Sequence, residues 1–433
     1  MIPLVTTRVM RECDARAVAE RGVDSLVALA GTAVADHARR LLGSTYGRRI
    51  GVLVGPGLNG ADGQFAASEL RRRGAKVDVI TVAHQPDELR GFDLVVDAAF
   101  GIGCSRSYIA PRVSHGTLVV AVDVPSGVDA DSGALQGRPM PADVTVALGA
   151  LKYAHVDGDA AAFTGEIRWV NLGISVPERD ALIEDADLDM YVRRGVDDHK
   201  WTHALTVLAG SSSMSGAATL VCQGALGAGA SMIRLASRGT ISTATTLAPE
   251  VVRFRGSNVD PRSRCVVAGP GLGEDCAPWL NKRLASVASP VVLDADALAP
   301  EVVHIAAGRE WVLTPHQGEF ERLSGTRRST QRIGLVRQLA AQTGCVVLLK
   351  GPTTLVASPH GDVRVVRSGT SALATAGSGD VLAGMIGAAI ARGHDPLMAA
   401  ALSAHLHGRV GALLPVYAGA SALAPLISRI LAK

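Results

Sequence analysis

Aromatic side chains are scarce, Phe, Trp and Tyr together making only 3% of the 433 residues, so any core must be built from Val, Leu, Ile and Ala. Charge of one sign is not in surplus. Lys and Arg number 43 against 40 Asp and Glu, a formal net charge of +3, which argues against a nucleic-acid surface. The basic triplet Arg71-Arg72-Arg73 closes a helical pattern before Gly74, where positive charge suits a helix C-terminus. Six cysteines (13, 104, 222, 265, 276 and 345) form no C-x-x-C pair and no metal-ligand spacing, as expected for free thiols in a reducing cytoplasm. Met1 to Val5 has neither a charged n-region nor a long apolar run, so no signal peptide is expected. Trp201 to Ile233 carries no Asp, Glu, Lys or Arg, yet Ser211-Ser212-Ser213 and repeated glycines break it into pieces too short for a bilayer. It reads as strand, loop and buried helix. No G-x-x-x-x-G-K-[ST] is present, which excludes a P-loop enzyme.

What is abundant is small and apolar: 48% hydrophobic residues and 48 glycines in a chain long enough for two domains. The chain is organised around Ala374-Thr375-Ala376-Gly377-Ser378-Gly379-Asp380, which runs straight into a helical pattern. Glycines let backbone N–H groups approach a ligand, and the helix start offers free N–H groups and a positive dipole end. The result is an anion site suited to phosphate. Asp380 at its lip is either an ordinary helix cap or a base that deprotonates an attacking hydroxyl.

In the first half, Ser25 to Leu42 has helical apolar spacing, and Arg49 to Val54 is a β-rich run. The loop Gly55 to Gly63, a helix ending at Arg73-Gly74, and a strand from Lys76 to Val82 complete a β-loop-α-β unit, hence a parallel sheet. Further strands end at Asp97, at Asp123-Val124-Pro125-Ser126 and before Lys152. Asn59, Asp62, Asp97, Asp123, Ser126 and Lys152 are therefore expected along one sheet edge, able to hold a hard cation and a polar ligand. Taken singly, each reads as readily as a helix cap. Val176 to Asp189 is acidic, carries Pro177 and lacks a strong period, as a connector would.

The second half repeats the pattern. Strands run into Gly269-Pro270-Gly271-Leu272-Gly273, Asp294-Ala295-Asp296, Thr314-Pro315-His316 and Lys350-Gly351. That predicts a second α/β domain with its site at the strand C-termini. Lys350 can neutralise phosphate, Gly351, Gly377 and Gly379 admit backbone close to it, and Asp294 and Asp296 are candidates for metal or structural roles. His316 could contact a substrate. The small-residue helix Gly216 to Gly229 implies close packing on a sheet or on another chain.

The chain resembles the bifunctional NAD(P)H-hydrate repair enzymes, an epimerase fused to an ADP- or ATP-dependent dehydratase. The likeness rests on PGLNGADG (56–63), DAAFGIG (97–103), DVPSGVDADSG (123–133), ADVTVALGALKYAH (142–155), AGPGLGE (268–274), LDADAL (293–298), LTPHQGE (313–319), LKG (349–351) and ATAGSGDVLAG (374–384). It implies an N-terminal Rossmann-like three-layer sandwich (1–176), a connector (177–190) and a C-terminal ribokinase-like α/β domain (191–433). It implies K⁺ at Asn59, Asp97 and Ser126. Substrate (NADHX or NADPHX) would lie at Leu58, Asn59, Gly60, Ala61 and Asp62, at Gly101, Ile102, Gly103, Cys104, Ser105 and Arg106, and at Asp123, with Lys152 beside it. Asp123 and Lys152 are the candidates for acid–base help to epimerisation. In the second half substrate would meet Gly273, His316 and Asp380. The nucleotide and its Mg²⁺ would be served by Lys350, Gly351, Gly377 and Gly379, with Asp380 as the base. The free thiols suit a cytoplasmic protein, and the helices at Ser25–Leu42 and Gly216–Gly229 could pack between the chains of a homo-oligomer. Departures stand at Leu58 and Ala61 in a loop usually Asn-Asn-Gly-Gly-Asp, at Ile102 and Cys104 for Thr and Leu, and at Ala376 for Gly. Two other readings fit the pattern: a ribokinase-like small-molecule kinase, and a non-catalytic nucleotide-binding or scaffold protein.

Overall fold

Apolar runs bounded by glycine dictate the strands, and each half of the chain builds its own parallel sheet. The computed structural model describes residues 1–103, 106–191, 195–239, 247–256, 258–309, 311–327, 329–415 and 417–432. They separate into one unit of Ile2–Asp180 with Thr330–Arg332, and another of Met1, Ala181–Ser329 and Ile333–Lys433.

The N-terminal unit opens with strand β1 (Ile2–Val5) and helices α1 (Thr7–Arg21) and α2 (Val23–Leu42). Next come β2 (Arg49–Val54), α3 (Leu58–Arg72), β3 (Lys76–Thr81), β4 (Leu94–Ala98) and β5 (Leu118–Val122). It closes with β6 (Val144–Leu148), β7 (Leu151–Lys152) and β8 (Glu166–Val170). The main sheet runs β8-β6-β5-β4-β2-β3, parallel at every pairing. β4 is buried along its whole length, Asp97 included, as a central strand is when both sheet faces are covered. Val52, Val96, Val120 and Val146 point to the face that α1, α2 and α3 cover. Leu53, Val95 and Val119 point to the other, under Leu89, Tyr108 and Met140.

The C-terminal unit contains β9 (Asp180–Leu182), β10 (Ala204–Ser211), α4 (Ser215–Gly227), β11 (Met232–Arg238) and β12 (Val251–Arg253). β13 (Cys265–Ala268), β14 (Val291–Leu293), β15 (Val312–Leu313) and α5 (Gln317–Ser324) follow. β16 (Val346–Leu349), β17 (Thr354–Ala357), β18 (Val363–Val366), α6 (Ser378–Ala391) and α7 (Pro396–Gly411) complete it. The strand order is β9-β18-β17-β16-β15-β14-β13-β10-β11-β12, and only the pairs made by β17 are antiparallel.

Two expectations are sharpened. The stretch read as a connector is ordered: β9 pairs Ala181 with Arg364, and Asp185–Met190 is a 3₁₀ helix. The small-residue helix packs inside its own unit. On α4, Gly224 lies against the Val381 carbonyl of α6, and on α6 Gly384 lies against the Val221 carbonyl of α4. A Cβ at either position would overlap the facing backbone, so glycine is what lets α4 and α6 approach this closely. No helix of the described residues is long and apolar enough to cross a membrane.

Candidate active sites

In the N-terminal unit, the C-terminal ends of β4, β5 and β6 and the start of α3 face a cavity of about 680 Å³. Leu58, Asn59 and Asp62 line it from α3, Gly101, Ile102 and Gly103 from the loop after β4, and Asp123 and Lys152 from the sheet edge. Gly60 and Ala61 do not line it; Gly60 lies tight against the Gly55 carbonyl, where a Cβ would not fit. Arg106 is also outside the lining, and Cys104 and Ser105 lie outside the described residues. The loop carries G-x-G-x-x-G spacing at Gly55, Gly57 and Gly60. That spacing marks a close backbone approach before a helix, and the expectation that this loop lacks it is corrected here.

Lys152 is 1% exposed and donates to Asp123 Oδ1 at 2.6 Å, to the Leu148 carbonyl at 2.9 Å and to the Ala150 carbonyl at 2.9 Å. All three ammonium protons are thus engaged, and the lysine fixes Asp123. Asp123 Oδ1 also accepts the Leu148 N–H at 3.2 Å, while the backbone sits at φ +64°, a left-handed conformation held by these bonds. Burial, with the negative charges of Asp123 and Asp14 behind it, pushes the Asp62 carboxyl up to about 8.

Asp97 and Ser126 lie together beneath this cavity edge, both fully buried. Ser126 Oγ donates to Asp97 Oδ1 at 2.6 Å, the Ser126 N–H donates to Asp97 Oδ2 at 2.9 Å, and the Phe100 carbonyl stands 3.1 Å from Ser126 Oγ. Asn59 packs on Gly101, next to Phe100, and its Nδ2 is buried without a partner. Among the described residues no Lys or Arg pairs with this buried carboxylate, and a hydroxyl and a carbonyl oxygen lie beside it, a donor set that fits a hard cation. Desolvation raises the Asp97 carboxyl accordingly.

In the C-terminal unit the strand ends converge in the same way. Lys350 Nζ donates to Asp294 Oδ1 at 2.8 Å, and Thr314 Oγ1 donates to the same oxygen at 2.8 Å. Burial would lower the Lys350 ammonium, but the charge and hydrogen bond of Asp294 more than offset it and hold it above its ordinary value. Asp296 Oδ2 accepts the Gly273 N–H at 2.8 Å, so this carboxylate fixes the glycine loop. Gly351 follows Lys350, its N–H directed to Thr354 Oγ1. Gly377 caps α6 at φ +88°, and Gly379 faces Lys350, whose Nζ would stand 3.4 Å from a Cβ there. Asp380 sits in the first turn of α6, half buried and with no hydrogen-bond partner among the described residues. Burial, reinforced by Asp294 and Asp296 and opposed by Lys350, pushes it up to about 7. His316 caps α5: its Nδ1 accepts the N–H groups of Gly318 (3.1 Å) and Glu319 (3.3 Å), which leaves Nε2 as the protonated nitrogen of the neutral ring.

A family model described as "YjeF-related protein N-terminus" matches residues 23–91 and 81–154, and one described as "NAD(P)H-hydrate dehydratase" matches residues 205–433. A bifunctional NAD(P)H-hydrate repair enzyme of Mycobacterium tuberculosis is 40% identical over 394 residues, 81% of this chain and 80% of that one. The chain belongs to the bifunctional NAD(P)H-hydrate repair enzymes. The Bacillus subtilis ADP/ATP-dependent NAD(P)H-hydrate dehydratase co-crystallized with ATP/Mg²⁺ aligns at 28% identity and TM-score 0.50, covering 57% of this chain and 96% of its own. A ribokinase-like superfamily protein of Enterococcus faecalis, 20% identical at TM-score 0.53 over 60% of this chain and 98% of its own, shares the fold.

Within this repair-enzyme frame, several groups at the two sites went unread in the sequence. Thr314 is the second donor to Asp294, and Glu319 accepts the His316 N–H at 2.8 Å to close the α5 cap. His407, buried in α7, reaches the Ser378 backbone and is pushed down to about 4 by burial, so it stands neutral behind the glycine loop. A histidine in an apolar helix, here with His405 two residues before it, gives no sequence signal of its own. The T-P-H-x-x-E spacing from Thr314 to Glu319, by contrast, is a readable capping box.

Proposed function

We propose that this chain repairs hydrated nicotinamide cofactors, NADHX and NADPHX, with residues 1–176 interconverting the R and S forms and residues 191–433 dehydrating the S form at the expense of ADP or ATP. Residues 177–190 link the two. The single observation that carries the dehydratase reading is Asp380. It is a half-buried carboxyl with no hydrogen-bond partner among the described residues, at the head of a helix whose glycine loop can take phosphate, beside a lysine already fixed by Asp294.

The hydroxyl of the hydrated ring is a poor leaving group. Asp380 takes its proton as the oxygen attacks the terminal phosphoryl of the nucleotide; the new O–P bond forms as the bond to the leaving phosphate oxygen breaks. Lys350 neutralises phosphate charge, Gly377 and Gly379 present backbone N–H groups, and His316 Nε2–H and the Gly273 segment orient the substrate. The ring nitrogen lone pair then expels phosphate, a proton leaves the adjacent carbon, and the reduced cofactor is restored. The surplus of carboxylates (Asp294, Asp296, Asp380) over Lys350 fits a Mg²⁺ bound with the nucleotide, which would supply further phosphate neutralisation. In the N-terminal unit Asp97, Ser126 and Asn59 would hold K⁺, which supplies the counter-charge that Asp97 lacks. Leu58 to Asp62, Gly101 to Arg106 and Asp123 would bind the substrate.

The test supplies S-NADHX, Mg²⁺ and either nucleotide, and follows the near-ultraviolet absorbance of reduced nicotinamide. Recovery that is lost in Asp380→Asn is the expected result. A stable phosphate ester in place of recovered cofactor contradicts the reading and makes the protein a kinase.

A further inference from the structure

The polar residues of the N-terminal cavity divide into those already engaged and those that are not. Lys152 has all its protons in bonds to Asp123 and two carbonyls, and Asp123 is pinned through Oδ1 by Lys152 and the Leu148 N–H. Arg11 lines the cavity from α1 but donates to the Ile102 carbonyl at 3.3 Å. Two carboxyls remain, Asp14 on α1 and Asp62 on α3; both line the cavity, and neither accepts a hydrogen bond or makes an ion pair among the described residues. Asp14 is out of place in its surroundings. Apart from Arg11, which is turned to the Ile102 carbonyl, the residues of α1 on the same wall are Met10, Ala15 and Val18, and α2 adds Leu26, Val27 and Ala30, all of them apolar. An unpaired carboxyl in an apolar wall costs stability unless it has another use.

We propose that Asp14 and Asp62 form the proton-carrying pair of the epimerase site, with Asp14 as the base, Asp62 as the acid, and the Asp123–Lys152 pair as a fixed anchor between them and the sheet. The proposal rests on the epimerase reading of this unit. Inverting the hydrated carbon requires its hydroxyl to leave and a water to add on the opposite face. Asp62 gives its proton to the hydroxyl; the C–O bond breaks with the ring nitrogen lone pair forming the C=N bond, and water departs. Water then adds to that carbon on the other face, the electron pair returns to nitrogen, and the added water gives its surplus proton to Asp14. One proton has moved from Asp62 to Asp14, and exchange through cavity water returns it.

The charges around the pair support this division of roles. Asp62 meets Asp14 from α1 and Asp123 from the loop after β5, and both negative charges add to burial in favouring its protonated form. Asp14 is likewise raised chiefly by burial and by Asp123, but it feels Lys152 from β7, which favours its ionised form. Arg11 lies on the wall of Asp14, and Asp97 on β4 is fully buried against Ser126. The acid of the pair is therefore Asp62 and the base Asp14.

The experiment uses the full chain and follows conversion of the R epimer into the S epimer by chromatography, across pH, for wild type, Asp14→Asn, Asp14→Glu and Asp62→Asn. Dehydration of the S epimer by the other unit serves as the control for folding. Asp14→Asn is expected to lose about a hundredfold or more in epimerisation with dehydration unchanged. Its residual activity should lack the acid limb of the pH profile, and its basic limb should shift to lower pH because Asp62 loses a negative neighbour. Asp14→Glu should recover part of the rate. If both Asn variants epimerise within about threefold of wild type, the proposal is overturned while the epimerase reading stands, since general acid–base groups are worth far more than that. If wild type itself leaves the R epimer unconverted beyond the spontaneous rate, the epimerase reading fails and takes the proposal with it.

Discussion

Asp380 and Asp62 are both carboxyls lifted by burial, to about 7 and about 8, and the consequences differ because one acts ionised and the other protonated. As a base, Asp380 must be ionised, so dehydration should fall as pH drops through about 7, and Asp380→Asn should lower kcat by roughly 10²–10⁴ with little change in KM for the S epimer; steady-state kinetics across pH check both. Asp62 bears on stability. Its folded-state pKa lies above the unfolded value of 3.8, so between 3.8 and about 8 the folded state binds the extra proton and stability falls as pH rises. At neutral pH this amounts to on the order of 3–4 kcal/mol, and Asp62→Asn should remove it. Thermal unfolding of that variant should show a Tm above wild type at neutral pH, and a difference that shrinks as pH falls from about 8 towards 4 and is gone below 4, where both states are protonated. The roles of single residues were legible where a type and a position coincide. Asp380 after Gly-x-Gly and Lys350 after a strand are such cases. Asp14 was not, because nothing in α1 announces that its neighbours are Lys152 and Asp123, residues more than a hundred positions further along the chain.

At the scale of elements, α4 and α6 hold the anion loop, and they do so through glycine. Gly384→Ala would drive a Cβ into the Val221 carbonyl and separate the two helices. We expect a loss of about 1–3 kcal/mol, read as a fall in Tm of a few degrees. Gly377→Ala acts at the loop itself. The residue sits at φ +88° against Leu220, so substitution costs about 1–3 kcal/mol in a conformation that presents the N–H groups to phosphate. KM for the nucleotide should rise about tenfold, checked by varying ADP or ATP at saturating S epimer. Most elements could be read from the chain, because apolar runs ending in glycine and helices with a clear period leave little choice. The strand Asp180–Leu182 could not: three residues carry no period, and their place is decided by Val363–Val366, far along the sequence. The small-residue stripe on α4 told of close packing without naming the partner, because small side chains suit a sheet, a helix or another chain equally.

For the whole molecule the two parallel-sheet units carry separate chemistries, and each keeps its polar residues at strand C-termini, as open α/β sheets do. Variants confined to one unit should therefore leave the other reaction unchanged: Asp380→Asn should still epimerise, and Asp123→Asn should still dehydrate the S form, as assays with single epimers will show. The two-domain order was legible because motifs at strand ends recur in both halves. The boundary was less so, since the acidic stretch that reads as a linker folds partly into the C-terminal sheet. The most direct test of the account gives the purified chain the R epimer alone, with Mg²⁺ and ADP or ATP, and follows the recovery of reduced-nicotinamide absorbance. Complete recovery is expected, abolished by Asp380→Asn and slowed about a hundredfold or more at the epimerisation step by Asp14→Asn. Wild-type protein that recovers no absorbance from either epimer with either nucleotide would contradict the account.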